Sequence, residues 1–578
     1  MPGQPILINF SGGINNRYTP LQLFTRQQGE VQNLVNADTT LMGRLKLLRT
    51  LTALNTTAEG SSIHSIIRAN GVVLVGSGIN LKYQDSAALT SIFAALSGED
   101  ISFAHAGNWV FLADGTNEQA VYLPDKTGCD WGLNPPTAAP TVAVGAAGTT
   151  KDNTFSCYYR YKITLPDGTI IRTELSSAGT VVITGADANK KIEWTALVHA
   201  TFTGATTVAI ELFRTGVGWA ATYLVAEVAS GTTTYSDDVS DALLQLETEF
   251  AETGYYGPPS GVNIVVYHEG ADRVFCTVDN EVYWSEAGLY HTFVYDETAD
   301  EYTNVNSVFL EGEDVTGMVM FDEQLYIGCQ RTWKRLRGTN PYYWSWEPIS
   351  GAIKGPLSWG AMAVTPWGII YPGNDGNIWI FNGFETARII EHFVFSTNPD
   401  ETCHSTYDGR FYRLFYGDTT YPELILDFLE FPRRPPRVIQ STRDASASFY
   451  DPSSNTFYLG DEDGYLRNGE DTDTEVTLTM RTAEVPIEQI INLGAGATLL
   501  VHADSKDVTL RITPYYDDVA QDPLTTVRTS SLERVPVALP WNDYRAVSFE
   551  ITITTAEDIE IREPWLLRGE DDSAGRSS

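Results

Sequence analysis

The chain has 578 residues, 43% of them apolar, which suits roughly three to four cored units and excludes a disordered polymer. Lys and Arg number 38 against 74 Asp and Glu, a formal charge of −36, and this excludes a protein that grips nucleic acid through its phosphates. No apolar run approaches the ~20 residues of a membrane helix, the opening MPGQPILINF predicts no signal peptide, and five scattered cysteines (129, 157, 276, 329 and 403) with no CxxC argue against a disulfide framework or a zinc site.

In chain order, residues 1–55 read as an N-terminal arm. It holds an extended start, a Gly-Gly break and a helix signal over 21–35. Residues 56–135 bring short apolar strands that alternate with tight turns. Asn70-Gly71 leads VVLVGSG, and Gly107-Asn108 leads WVFLADG. The Pro/Ala/Gly linker LNPPTAAPTVAVGAAG then breaks the rhythm. Over 136–252, YRYKITLPDGT, VAIELFRTG and TTTYSDDV predict an inserted β-sandwich resembling an immunoglobulin or fibronectin type III module, with a second helix signal over 241–250.

The strand–turn–strand phrase resumes over 253–473 at Asp279-Asn280, Asp322-Glu323, Trp367-Gly368, Asp408-Gly409 and Ser454-Asn455. Units recurring roughly every 35 to 50 residues predict a β-propeller, here of six to eight blades, because a small sheet with two apolar faces needs neighbours on both sides. Residues 474–567 (TLTMRTAEV, VTLRITPYYDD, RAVSFEITITT) predict a C-terminal β domain or strands bracing the propeller, and 568–578 is a polar tail. The fold class is therefore all-β.

Few residues announce chemistry. NDGN (374–377) and DEDG (461–464) have carboxylates that could hold calcium, but neither completes an EF-hand register, and both read first as hairpin turns. Eight histidines show no HxH or HExxH spacing and read as core or surface residues. There is no GxSxG elbow, Walker loop or sialidase-type box, so no catalytic residue, metal or cofactor is predicted. The acidic stretch 296–314 reads as a solvated loop, or as one that repels DNA if it lines a channel. One basic cluster stands out in FLEFPRRPPRVIQ: Arg433, Arg434 and Arg437 form either an exposed loop or a docking loop for an acidic neighbour.

The first fifty residues carry a resemblance. Gly12, Gly13, Ile14 and Asn15, then Asn33, Asp38, Gly43, Leu45 and Arg49, resemble the opening of the tail nozzle (tail tubular, packaged-DNA stabilisation) proteins of short-tailed bacteriophages. The layout of propeller start, inserted sandwich, further blades and C-terminal β region is similar too. One departure is Leu48-Arg49-Thr50-Leu51, where that family commonly has Arg-x-Gly.

The resemblance implies a virion protein made in the host cytoplasm, non-enzymatic and without cofactors. It implies a homo-oligomeric ring, commonly a hexamer, below a portal-proximal adaptor. Such a ring closes the DNA channel, anchors tail fibres or spikes, and lets viral DNA pass without specific binding. Gly12, Gly13, Asn15, Arg17, Asn33, Asp38, Gly43 and Arg49 are then candidate assembly contacts, while gate residues are not legible. Two other readings fit the same strands: a carbohydrate-binding or glycoside-cleaving propeller, whose sugar would stack on some of the 13 Trp and 29 Tyr, and another tail hub component.

Overall fold

The computed structural model describes residues 6–569 other than 11, 27, 40–43, 151–152, 186–188, 251–254, 295–306, 310–312, 339–340, 487–496, 505–507, 529–530, 538–544 and 558. Gly43, most of the acidic stretch 296–314 and the tail beyond 569 lie outside the described residues.

The repeating phrase folds into a seven-bladed propeller. Six blades are continuous in sequence: five four-stranded antiparallel sheets beginning at Ile63–Ala69, Ser102–Ala106, Ile264–His268, Val315–Phe321 and Ala363–Thr365, and four antiparallel strands beginning at His404–Tyr407 that form one end of an eleven-stranded sheet. The first strands of neighbouring blades pack on one another, with the 3-10 segment Trp359–Ala361 bridging blades four and five, so they form the innermost layer around the axis. Second strands are mostly apolar, and WVFLA of blade two and GIIYP of blade five are buried at every position. A strand covered on both faces loses the alternation of a half-exposed one. The hairpins turn through positive φ, at Asn70 and Gly71 (47° and 82°) and even at the non-glycine pair Asp322 and Glu323 (49° and 60°).

Blade seven closes the ring. Ala447–Asp451, Thr456–Gly460 and Leu466–Glu470 supply three strands, and the fourth is Leu51–Ala53 from the other end of the chain. Arg467 lies opposite Ala53, and Asn468 opposite Thr52. Ile63–Ala69 of blade one then packs on Ala447–Asp451, and the circle is complete.

Two further β bodies flank the ring. The insertion is a sandwich of a three-stranded sheet (Thr141–Thr150, Lys190–Thr195, Tyr235–Asp237) on a five-stranded one centred on Asn153–Thr164 and Thr207–Thr215. Arg214 and Asp237, both without solvent exposure, join the two sheets at 2.6 Å. The sandwich packs Ile163, Leu165 and Ile171 against Phe111 and Trp131 of blade two and Cys276 of blade three.

The second body is built from both chain ends. Asn33–Val35 bridges from Arg437–Ser441 of blade six to Val476–Arg481, extending that blade's sheet outward. Arg44–Leu47 and Ile6–Ile8 both pair with Glu560–Gly569 in the facing sheet. Leu34, Leu45, Met480, Ile551, Ile561 and Trp565 are buried between them, in one cluster with blade-six residues such as Leu414 and Ile425. Counted round a ring of seven, the flank of blades two and three lies opposite blade six, so the two sandwiches stand on opposite sides of the propeller.

The helix signal over 21–35 is corrected. The helix is Pro20–Arg26 only, and Glu30–Val31 and Asn33–Val35 are strands. Gly29, at φ 70°, breaks it, and Val31 and Leu34 are fully buried among the strands. The second signal, over 241–250, gives only Asp241–Leu244.

In each candidate calcium turn one aspartate is engaged by its own hairpin. Asp461 accepts from the Tyr465 backbone NH at 2.7 Å and pairs with Arg467 at 2.7 Å. Asp375 accepts from the Trp379 indole at 3.0 Å. A chelator is therefore expected to leave the melting temperature unchanged; a fall on adding EDTA would show a bound ion that these contacts do not account for.

Candidate functional site

Two of the sequence-predicted groups, some 400 residues apart in the chain, meet in one cleft. The basic loop joins Glu423–Asp427 to Arg437–Ser441 in blade six, and the Gly-Gly element lies directly against the second of these strands. A Cβ on Gly13, whose φ is 86°, would come within 2.8 Å of the Val438 backbone nitrogen, and one on Gly12 within 2.5 Å of the Gln28 carbonyl. Only glycine allows this approach. Between them opens a cavity of about 360 Å³ lined by Arg26, Glu30, His392, Glu430, Arg433 and Arg434, among others.

Charge in the cleft is only partly matched. Arg26 pairs with Glu30 at 2.9 Å, and Glu30 also accepts from the buried Asn15 amide at 3.0 Å. Glu430 takes both Arg434, at 3.3 Å, and Arg437, at 3.1 Å. Arg437 is turned inward and buried, while Arg433 and Arg434 face solvent. Arg17, also exposed, donates to the Glu391 carbonyl at 2.8 Å beside His392. In a chain of charge −36 this is an outward basic face assembled from the arm and the blade-six loop.

The other candidate arm residues lie elsewhere. Asn33 sits in its bridging strand, opposite Arg481. Asp38 and Arg49 line a second cleft of about 480 Å³ with Lys46, Glu470 and Glu560. Arg49 is buried, and its carbonyl receives the guanidinium of buried Arg443. The described arm residues thus hold the chain's own ends together, and the cleft joins only Gly12 and the loop arginines directly.

Sequence reasoning missed a second site, because its residues come from five blades. Where the innermost strands begin, a pocket of about 270 Å³ opens on the propeller axis. His64 and Ser65 come from blade one, Asp100 and Phe103 from blade two, Trp359 and Met362 from the approach to blade five, His404 and Ser405 from blade six, and Ser448 and Phe449 from blade seven. His64 is already engaged, its ring nitrogens 2.9 Å from Ser65 Oγ and 3.1 Å from the Gly78 carbonyl. Among the described residues, His404 Nε2 and Ser448 Oγ are buried with no hydrogen-bond partner. His404 stacks on Phe415 at 4.9 Å, and burial pushes its imidazole down to about 3, so it is neutral at physiological pH. Asp100 stands at the rim, half exposed, 3.9 Å from His64 Nδ1.

No family model matches the chain, and no curated protein matches it. Among solved structures it is similar to the computationally designed protein Ika8 (TM-score 0.36, 11% identity, 73% of this chain and 100% of that one). It is also similar to the WD40 domain of Pan2 from Neurospora crassa (TM-score 0.35, 7% identity, 73% of this chain and 96% of that one). The propeller itself rests on the order of its sheets and the closure of blade seven.

Proposed function

We propose that the chain is a structural subunit of the tail nozzle ring of a short-tailed bacteriophage. The observation that carries this reading is the layout: a propeller flanked on opposite sides by two β-sandwiches, one an insertion and one woven from both termini. A subunit of a ring that also carries fibres needs separate surfaces for its neighbours and its cargo, and this layout offers them. The resemblance of the opening segment, and a charge of −36 that gives a passing polyanion nothing to condense on, support the same reading. In this role the protein gates and anchors rather than catalyses. Loops of the ring constrict the DNA channel and move aside on ejection.

The outward basic face is the docking surface for an acidic neighbour, and in a homo-oligomer of such acidic chains the neighbour can be the next copy. Reversing the loop with the pair Arg433→Glu and Arg434→Glu is expected to weaken ring assembly roughly ten-fold at low salt and less at high salt, while the melting temperature of the monomer stays put. Sedimentation of both proteins at two ionic strengths reads this out; equal association would remove the loop from the interface.

The whole reading is tested on purified virions of the phage that encodes the chain. Quantitative peptide mass spectrometry should find roughly one copy for every two of the portal, and antibody labelling should place it at the tail tip. A soluble, monomeric protein absent from particles would overturn it.

A further inference from the structure

We propose that the axial pocket binds a single neutral sugar ring, with His404 and Ser448 as its hydrogen-bonding floor and Trp359, Phe103 and Phe449 as its apolar walls. This goes beyond the nozzle reading and does not depend on it, since the pocket is complete within one chain.

Size comes first. A cavity of about 270 Å³ is just below the ~300–1,000 Å³ of ordinary small-molecule pockets, so it takes one ring and not an oligosaccharide. Wall chemistry comes second. Three half-buried aromatic side chains face a set of short polar ones, and a pyranose presents that combination: an apolar face for stacking and a rim of hydroxyls. Third is the state of the polar atoms. Buried polar groups in folded proteins are nearly always hydrogen-bonded. Here His404 Nε2 and Ser448 Oγ, from adjacent blades, have no partner among the described residues. A hydroxyl both donates and accepts, so it satisfies a serine and either tautomer of a neutral histidine.

Charge narrows the ligand further. Among the described residues no Lys or Arg lines the pocket, and half-exposed Asp100 guards its rim, so a phosphate or an acidic sugar is disfavoured. Asp100 is placed to accept from a hydroxyl at the mouth. The pocket is formed by the starts of strands fixed in β-sheets, so its frame is preorganised.

Saturation-transfer NMR on the full chain tests this. The probes are the methyl pyranosides of glucose, galactose, mannose, N-acetylglucosamine and N-acetylgalactosamine at millimolar concentration, with choline as the competing class. Transfer to at least one pyranoside is expected. Ser448→Ala should weaken it about three- to ten-fold by deleting one hydrogen bond, and Ser448→Leu should abolish it by filling the pocket. If the leucine variant does not fold, as judged by its melting curve, the alanine variant decides. Transfer to no pyranoside, transfer to choline alone, or binding undiminished in the serine variants would each overturn the proposal. None of these outcomes bears on whether the chain is found in virions.

Discussion

A chain that begins at residue 56 is expected to lose the cooperative melt of the full protein and to be cut rapidly by protease across 447–470. The reason is the place of the first 55 residues in two structures at once. Leu51–Ala53 is the outer strand of blade seven, and Leu51 is buried with Phe415, Ala445 and Leu459. Asn55 reinforces the seam: its side chain donates to the Gly464 carbonyl at 3.0 Å and accepts from the Leu466 NH at 2.8 Å. Without these residues blade seven exposes a strand edge and loses the strand that ties it covalently to blade one, which leaves the seam only contacts such as the Ile63 NH to the Asp461 carbonyl at 3.1 Å.

The same deletion removes Ile6–Ile8, Asn33–Val35 and Arg44–Leu47 from the terminal sandwich. Phe10, Ile14, Val31, Leu34, Val35, Leu45, Leu47 and Leu48 are buried there, and at ~1.5–3 kcal/mol each their gross contribution is on the order of 12–24 kcal/mol. That is as large as the ~5–15 kcal/mol net stability of a typical domain. A chain beginning at residue 50 separates the two effects, because it keeps the closing strand. Its propeller should resist protease while the strands beyond 476 become sensitive. A residue-56 chain that melts as sharply and as high as the full protein would show that the closure adds nothing.

The closing strand also shows where the sequence stops being readable. Each of the seven strand–turn–strand phrases marks one blade, because a buried strand and a positive-φ turn are local properties. Even so, the phrase at Asp279-Asn280 marks the second hairpin of blade three. That blade's first hairpin turns through the 3-10 segment Glu269–Ala271 and Asp272, with no Asn-Gly pair to signal it. Leu51–Ala53 has three residues and no pattern, and its partner strand starts more than 400 positions later. Nothing local specifies it.

The helix signal over 21–35 failed for a related reason. Leu21, Phe24, Val31, Leu34 and Val35 are spaced plausibly for one helical face, but Val31 is buried in a strand beside Ile14, and Leu34 and Val35 in one that pairs with Met480 and Thr479 at the chain's other end. The basic loop was visible as composition. That the Gly-Gly element would lie against its strand was not, since it depends on contacts between Gly13 and Val438. His64 and His404 were read singly, and only the closed ring brings them to one pocket.

The second large effect is expected at Asp427. Its side chain has no solvent exposure, and it ties the arm to blade six. Arg410 grips it with both arms of its guanidinium, at 2.8 and 2.7 Å, the Thr39 hydroxyl donates at 2.6 Å, and the Leu429 NH at 3.0 Å. Arg410 also donates to the Thr39 carbonyl at 2.8 Å. Asp427→Ala leaves a partly buried guanidinium facing an apolar gap, and breaking a buried pair from one side costs about 3–5 kcal/mol.

Burial alone would push the Asp427 carboxyl up; the Arg410 and Thr39 hydrogen bonds and the Arg410 charge outweigh it and hold it below the usual carboxylate range. A lowered folded-state value contributes stability that is fully present above the unfolded value of about 3.9 and is lost as pH falls through the folded one. The gap in denaturant midpoint between the wild type and Asp427→Asn should therefore hold steady from pH 8 to about pH 5 and narrow below about pH 4. An Asp427→Ala cost below about 1 kcal/mol would place the contact among weak surface pairs. A gap that widens in acid would mean that the carboxyl is protonated more readily in the folded protein than in the unfolded chain, the reverse of what the Arg410 fork imposes.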